Sequence, residues 1–341
     1  MPAGPEPASL VETACGIGAP TLAENVDPEF DPSSTPIFIV NAASGHHDAA
    51  ATRRAIQAEL SAAGRSAEFR PARPDRLAQV ASEAVADVRA RHGAVIAVGG
   101  DGTINAVAQA AHAGGCAMGV VAQGTFNYFA RSHGLSLDAA EATHALLHSA
   151  AVPVQVGLVG DHVFLVNASL GLYPELLQDR EAYKARFGRS RFVALCSALV
   201  TLLRKHRQLR LHIDLADSSR EVRTTTIFVG NNRLQLEQVG LPEAPALDAG
   251  CIAAAMLRPI GTLAMLGLLL RGALGRLGEA DAVESFCFHR MQVGPRRRWS
   301  RRRIKVAYDG EIGRMRLPLV FRVAPQPLYL LKPAPPVEPP T

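Results

Sequence analysis

The chain has 341 residues, of which 48% are hydrophobic, 20% charged and 5% aromatic. This length and apolar content are ample for packed cores and allow one large domain or two of ordinary size. The net charge of +5 at pH 7 suits an anionic partner, but it is too weak to indicate nucleic acid by itself.

The two ends of the chain differ from its middle. Residues 1–35 carry prolines and acids where a signal peptide needs a basic start and an apolar run, so we expect a disordered extension there. Residues 334–341 are proline-rich and are expected to be extended. Five cysteines without a CxxC pair are expected to be reduced, which favours a cytoplasmic protein.

Residues 36–150 alternate short apolar runs with helical patterns. PIFIV, GAVIAVGG and AMGVVAQG have the character of strands, and a helical pattern follows each of them. Strands that alternate with helices predict an α/β domain whose parallel sheet carries helices on both faces. In such a sheet the binding site lies in the loops at the carboxyl ends of the strands.

Residues 151–312 have a different pattern. Runs such as VPVQVGLVGDHVFLVNASLG and LRLHIDLADSSREVRTTTIFVGN have the form of strand, turn and strand. This pattern predicts a second, β-rich domain with antiparallel sheet. The most apolar stretch, 261–278, is interrupted by Arg271 and Arg276 and falls short of the ~20 clean residues of a membrane span. A buried or surface-seeking amphipathic helix is expected there.

Three glycine-rich loops each follow a predicted strand of the first domain. They are NAASG at 41–45, GGDGT at 99–103 and GTFN at 124–127. Glycine permits close ligand approach, and the following helix offers unpaired N–H groups and a positive dipole end. Together these features favour phosphate binding, although the pattern is neither GxxxxGK[ST] nor GxGxxG. The alternative is that the glycines only make tight turns.

Asp101 stands inside the second glycine loop. A carboxylate beside a phosphate repels it unless a cation lies between them, and Mg²⁺ is the usual cation. The position therefore indicates a metal–nucleotide complex and phosphoryl transfer. The alternative role for Asp101 is that of a helix N-cap.

With these motifs in this order, the chain resembles the diacylglycerol kinase catalytic-domain family of bacterial lipid kinases. The family's GGDGT is intact at 99–103, and its NPxSG motif is similar to 41–45, with alanine in place of proline. Its GTxNDFAR motif is similar to 124–131, where Tyr128 replaces the acid, and its DGE stands at 309–311. The resemblance covers roughly residues 36–333. It extends to sphingosine kinases and, more distantly, to NAD kinases.

The resemblance implies a nucleotide-binding α/β domain and a β-rich lipid-acceptor domain with the active site between them. The final strands, 313–333, are expected to return to the first domain. ATP phosphates are expected against the GGDGT loop. The nucleotide-binding residues implied are Asn41, Ser44, Gly45, Gly99, Gly100, Asp101, Gly102, Thr103, Gly124, Thr125 and Asn127.

The resemblance also implies catalytic and metal-binding roles. Asp309 matches the general base that deprotonates the lipid hydroxyl, and Glu311 would support it. Mg²⁺ is expected at Asp101, and a structural Mg²⁺ at Asp248. Tyr128 is expected to influence the choice of acceptor. Judged from the residues alone, a carboxylate in reach of an attacking alcohol suits this chemistry, whereas Asp-Gly is also an ordinary hairpin turn and Asp248 an ordinary turn aspartate.

The function expected is an ATP- and Mg²⁺-dependent lipid kinase that acts on diacylglycerol or a related lipid alcohol. The alternatives are an NAD kinase, whose asparagine–glutamate motif is not well placed here, and a catalytically silent lipid- or nucleotide-binding module, which Tyr128 favours. The arginine run at 296–303 with Trp299 is either a solvated loop or a contact with the anionic inner face of the membrane. No nucleic acid partner is expected. A homodimer is compatible with the sequence, which does not specify the oligomeric state.

Overall fold

The computed structural model describes residues 30–42, 46–171, 208–295 and 303–333. Three six-stranded sheets and the helices around them account for most of these residues. One sheet is largely parallel and covered by helices, and the other two are antiparallel and pack together. The predicted fold class is therefore confirmed.

The first sheet has the strand order β2-β1-β3-β4-β18-β5. Five of its strands are parallel, and β5 is antiparallel to β18 at one edge. All residues of β3 and β4 are buried, as expected for a sheet covered on both faces. The strands are β1 (Ile37–Asn41), β2 (Glu68–Ala72), β3 (Ala94–Gly99), β4 (Ala117–Ala122), β5 (Ser149–Val154) and β18 (Leu328–Pro333).

Successive residues of β3 show how the helices cover this sheet. Val95 and Ala97 pack in one apolar core with residues of α2 and α3, whereas Ile96 and Val98 pack in another with residues of α1 and α5. Side chains alternate between the two faces of a strand, so the helices lie on opposite faces. The helices are α1 (His46–Ala62), α2 (Leu77–Arg89), α3 (Asp101–Gly114), α4 (Tyr128–Ser132) and α5 (Ala139–Leu147).

The other two sheets form the β-rich part of the chain. Their strand orders are β10-β9-β14-β17-β6-β7 and β13-β12-β11-β8-β15-β16, and every pairing is antiparallel. Phe164 and Phe321 from one sheet and Leu170 and Ile227 from the other share one core. The strands are β6 (Gly157–Val159), β7 (His162–Phe164), β8 (Asn167–Gly171), β9 (Leu209–Asp214), β10 (Ser219–Thr224), β11 (Thr226–Gly230), β12 (Ile252–Leu257), β13 (Val283–Phe288), β14 (Arg290–Pro295), β15 (Arg303–Tyr308), β16 (Glu311–Arg316) and β17 (Leu319–Val323).

Two helices accompany these sheets, α6 (Arg233–Val239) and α7 (Thr262–Ala273). Asn232 caps α6 by accepting a hydrogen bond from the Gln235 N–H at 3.0 Å. The helix α7 lies within the most apolar stretch of the sequence. Among the residues described, no helix is long and apolar enough to cross a membrane.

The chain crosses between the two parts after β5 and before β18. Residues 313–333 are predicted to return to the first domain, but β16, which begins at Glu311, and β17 stay in the antiparallel sheets, and only β18 joins the first sheet. At the other end, Phe30 packs against the first domain's core. The rest of the predicted extension, 1–29, and the tail, 334–341, lie outside the described residues.

Candidate active site

The GGDGT loop joins β3 to α3 through a turn that needs glycine. A Cβ on Gly99 would lie 2.5 Å from the Thr103 hydroxyl oxygen. Only glycine therefore leaves room for the Thr103 side chain next to the end of β3. Gly100 is the N-cap of α3, and no side chain caps the helix. A Cβ on Gly102 would meet nothing within 4 Å. The start of α3 therefore offers N–H groups and open space, the arrangement that binds phosphate.

The third glycine loop packs directly on the second. A Cβ on Gly124 would lie 2.9 Å from the Gly100 Cα, so the two backbones meet without side chains between them. Asn127 holds this shape because its side-chain oxygen accepts from the Gly124 N–H and its amide donates to the Gly124 carbonyl, both at 2.8 Å. The Asn127 side chain thus shapes the loop itself. Thr125 is exposed.

The first glycine loop is described in part. The Asn41 side-chain amide donates to the Thr103 hydroxyl at 3.0 Å and so ties the end of β1 to the GGDGT loop. Ser44 and Gly45 lie outside the described residues. Their predicted contribution to nucleotide binding stays a prediction.

Asp101 begins α3 and faces the start of α4. Its Oδ2 accepts a hydrogen bond from the Asn127 N–H at 3.0 Å. Its Oδ1 is buried, and no group in the described part of the chain donates to it. Burial raises the pKa of Asp101, against the lowering effect of backbone N–H groups at Asn127 and Tyr128. A buried carboxylate oxygen that lacks a donor fits a Mg²⁺ ligand, so Asp101 could hold this ion.

Asp309 lies in the turn after β15 and is held by both parts of the chain. Its Oδ1 accepts from the N–H groups of Val166 and Asn167, both at 2.9 Å. Its Oδ2 accepts from the Leu165 N–H at 2.6 Å and from the Asn105 side-chain amide at 2.7 Å. The Asp309 φ of 44° is uncommon for a residue other than glycine. The surrounding donors explain why this conformation is kept.

Burial raises the pKa of Asp309 to about 6, although its four hydrogen bonds act in the opposite direction. The carboxylate is then largely ionised at pH 7 and can accept a proton. A general base works best when its pKa lies near the working pH. The pKa of Asp309 therefore suits a general base.

Asn105 is a site residue that sequence reasoning missed. It lies on α3 one helical turn after Asp101, is 5% exposed, and donates to the Val163 carbonyl at 3.2 Å as well as to Asp309. The available signal was an amide flanked by the apolar residues Ile104, Ala106 and Val107. Its partner comes from a strand turn 204 residues away, which no local pattern reveals.

Tyr128 lies where the two parts of the chain meet. Its hydroxyl donates to the Gln238 side chain at 3.1 Å, and its ring stacks on Phe126 with 5.7 Å between centroids. The Asn232 amide donates to the Tyr128 carbonyl at 3.2 Å and to the Ser132 hydroxyl at 2.9 Å. Helix α4 is thus fastened to α6, and the residue that replaces the family's acid belongs to this junction.

The remaining predicted residues are exposed. Glu311 begins β16 opposite Tyr308. Asp248 forms an ion pair with Arg233, a partner that does not fit a metal ligand. In the described ranges no group of three or more His, Cys, Asp or Glu side chains could hold a metal ion. Asp248 is thus engaged by Arg233, and the structural Mg²⁺ expected there stays a prediction. Of the arginine run, only Arg303 lies among the described residues.

Comparison with known proteins gives the same picture. Residues 35–159 match the family model of the diacylglycerol kinase catalytic domain, so the resemblance is confirmed. A protein named "Probable lipid kinase YegS-like" from Klebsiella pneumoniae (strain 342) is 40% identical over 79 residues, 23% of this chain and 27% of that protein. The matched segment thus spans about a quarter of that relative's length.

Two solved structures from Bacillus anthracis str. Sterne share the fold over most of their length. One, described as a "putative diacylglycerol kinase", has a TM-score of 0.65 at 16% identity and covers 87% of this chain and 96% of that one. Another, described as a diacylglycerol kinase, has a TM-score of 0.59 at 17% identity and covers 89% and 97%. At these identities the likeness concerns the fold.

Proposed function

Because residues 35–159 match the family model of the diacylglycerol kinase catalytic domain, we propose that this protein is a lipid kinase. It uses ATP and Mg²⁺ and phosphorylates a hydroxyl of diacylglycerol or a related lipid alcohol. The observation that carries the proposal is the hydrogen bond from Asn105 to Asp309, 2.7 Å long. Through it, the helix that starts at the glycine loop contacts the carboxylate suited to be the base.

The glycine loops are the proposed phosphate-binding side of the site. The uncapped N-terminus of α3 presents N–H groups to the phosphates, and the glycine contact between the two loops keeps side chains out of the way. Asp101 would hold Mg²⁺ through its buried Oδ1. When bound, this ion neutralises phosphate charge during transfer.

Asp309 is the proposed base. A carboxylate has room for about four hydrogen bonds, and four donors already surround Asp309. A lipid hydroxyl must therefore displace one of them. Three are backbone N–H groups of residues 165–167, at the start of β8 and just before it, which the sheet holds in place. The Asn105 side chain is therefore the donor that gives way. The hydroxyl proton then passes to Asp309 Oδ2 as the oxygen bonds to the γ-phosphorus, and ADP leaves.

Peripheral association with the anionic inner face of the membrane, in the cytoplasm, forms part of this proposal. In support of it, Leu270 and Leu274 at the end of α7 are 64% and 73% exposed, beside the exposed Arg271. Exposed apolar side chains flanked by arginine suit a membrane surface. The homodimer stays a prediction.

The decisive experiment incubates the protein with labelled ATP, Mg²⁺ and a total lipid extract, followed by identification of the labelled product. A labelled lipid supports the proposal. Label on NAD in a parallel reaction would identify an NAD kinase. No ATP consumption with any acceptor would identify a silent binding module, the alternative that Tyr128 favours. The Asp309→Asn variant is the control for contaminating kinases.

A further inference from the structure

We propose that a groove in the antiparallel sheets binds the phosphate group of an anionic phospholipid headgroup. Arg290, Arg316 and Arg322 line this groove, which has a volume of about 500 Å³ and is here named the arginine groove. It is separate from the glycine loops and from Asp309. All of its lining residues except Val159 lie after the segment that matches the kinase family model.

The first step of the argument is an uncompensated pair of charges. Arg290 on β14 lies directly opposite Arg322 on β17. Like charges opposite each other on neighbouring strands are unfavourable. Within the described ranges no ion pair or side-chain hydrogen bond joins either guanidinium to another residue. An anion between the two would remove the repulsion.

The second step is the convergence of a third arginine from the other sheet. Arg316 ends β16 and lines the same groove. The lining also includes His162 and one acid, Asp161, so positive charge prevails over negative. Guanidinium groups donate hydrogen bonds in a planar fork that matches phosphate oxygens. Three guanidinium groups around one cavity therefore favour a phosphate group as the ligand.

An opposed pair of arginines alone does not make such a site. Arg210 and Arg223 also face each other, on β9 and β10 of the same sheet. Neither of them lines the arginine groove. This second pair is therefore a matched control, with the same residues, the same pairing and the same sheet.

The surroundings of the groove favour a lipid as the molecule that carries this phosphate group. Leu319, Pro318 and Met315 give the groove an apolar wall beside its arginines. Arg316 also lies opposite Arg303 on β15, which adds a further positive charge beside the groove. The choice of a lipid carrier rests on the proposed function, whereas the phosphate site itself does not.

The test measures flotation with phosphatidylcholine vesicles that contain or lack phosphatidylglycerol, without ATP. The double variant Arg290→Gln/Arg322→Gln is compared with Arg210→Gln/Arg223→Gln, which loses the same charge. Each arginine near an anionic surface contributes about fivefold to affinity. We expect the groove variant to bind anionic vesicles at least about tenfold more weakly, and the control to change by less than about threefold. Soluble glycerophosphoglycerol should release the wild type from the anionic vesicles more effectively than chloride does at equal ionic strength.

Three results would overturn the inference. Equal losses in the two double variants would mean that only net charge matters. Unchanged vesicle binding by the groove variant would show that the arginine groove is not the binding site. If glycerophosphoglycerol displaced the protein no better than chloride does, the groove would not recognise phosphate. Thermal unfolding checks the fold, and Arg316→Gln replaces the double variant if that variant is unfolded. Kinase turnover with a detergent-dispersed acceptor tests the proposed function separately, because the groove variant should retain it.

Discussion

The Asn105 side-chain amide donates to Asp309 Oδ2 over 2.7 Å and so joins the helix of the glycine loop to the turn after β15. The contact spans both parts of the chain. It means that the orientation of Asp309 depends on α3 and on the backbone between β7 and β8 together. Movement between the two parts would therefore change the hydrogen bonds of the carboxylate as well as its position.

Replacing Asp309 with asparagine should lower kcat by at least about 10²-fold, the lower range for loss of a general base. ATP binding should change little, because the glycine loops are untouched. The amide must also point its NH₂ group at a backbone N–H, which costs about 1–3 kcal/mol of folding stability. Steady-state kinetics, ATP titration and thermal unfolding together test this. Wild-type turnover in a folded variant would exclude Asp309 as the base.

The pH dependence of activity and of stability should run in opposite directions. Burial raises the pKa of Asp309 to about 6 from the ordinary value of 3.8. Activity needs the ionised form, so kcat/KM, which reports the free enzyme, should rise with pH and level off above about 6. A raised folded-state pKa stabilises the fold most below pH 3.8, and this contribution is lost as the pH rises through about 6.

Rate profiles and urea unfolding from pH 5 to 8 measure the two trends. Asp309→Asn should flatten the part of the stability curve that Asp309 causes. A rate profile without an acid limb between pH 5 and 7 would show that the ionisation of Asp309 does not limit turnover.

Asn105 is a positioning residue, and the Asn105→Ala variant should reveal this through its pH profile. Loss of a hydrogen bond to a charged group is worth about 1.5–3 kcal/mol, so the acid limb of kcat/KM, which reports the free enzyme, should move up by at least about one pH unit. The plateau value of kcat should stay within about tenfold, because the lipid hydroxyl displaces this amide in any case.

Gln109→Ala is the matched control for Asn105. Gln109 lies one turn further along α3 and accepts from the Val163 N–H at 2.7 Å, yet it does not contact Asp309. The acid limb of the pH profile of the Gln109→Ala variant should stay at the wild-type position. A shift of equal size in both variants would point to a general loosening of the junction.

The Asp101→Asn variant should lose affinity for Mg²⁺, with a rise of at least about tenfold in the concentration that half-saturates activity. The fold should be retained, since burial disfavours the charge of Asp101. Thermal unfolding with and without Mg²⁺ and ATP provides a second readout. If both ligands stabilise the variant as much as the wild type, Asp101 does not hold the metal.

The glycine loops and both domain types could be predicted because their signals are local. Strands such as β3 are continuous apolar runs, and GGDGT is a contiguous motif. The route of β18 back to the first sheet was implied only by the family resemblance, because strand pairing over such a distance leaves no local pattern. The role of Asn127 in shaping its own loop and the ion pair of Asp248 depend on three-dimensional neighbours. A motif match shows residue types at given positions, but not the direction in which each side chain points.

Tyr128 tests whether the family's acid is essential or only tunes the site. Its hydroxyl contacts Gln238 and its ring stacks on Phe126 at the junction of α4 and α6. Tyrosine has no carboxylate, so Tyr128 removes one negative charge from this place. With Asp101, Asp309 and Glu311 all retained, we expect the wild type to be active and Tyr128 to influence acceptor choice.

The wild type is compared with Tyr128→Phe and Tyr128→Asp on several lipid alcohols with Mg-ATP. Tyr128→Phe keeps the ring stack and loses only the hydrogen bond to Gln238, worth about 1 kcal/mol, so it should change acceptor preference by less than about tenfold. Tyr128→Asp loses the stack as well and adds charge, and its preference should differ more. An inactive wild type with an active Tyr128→Asp variant would show that the acid is essential. Identical acceptor profiles in all three proteins would show that Tyr128 only fastens α4 to α6.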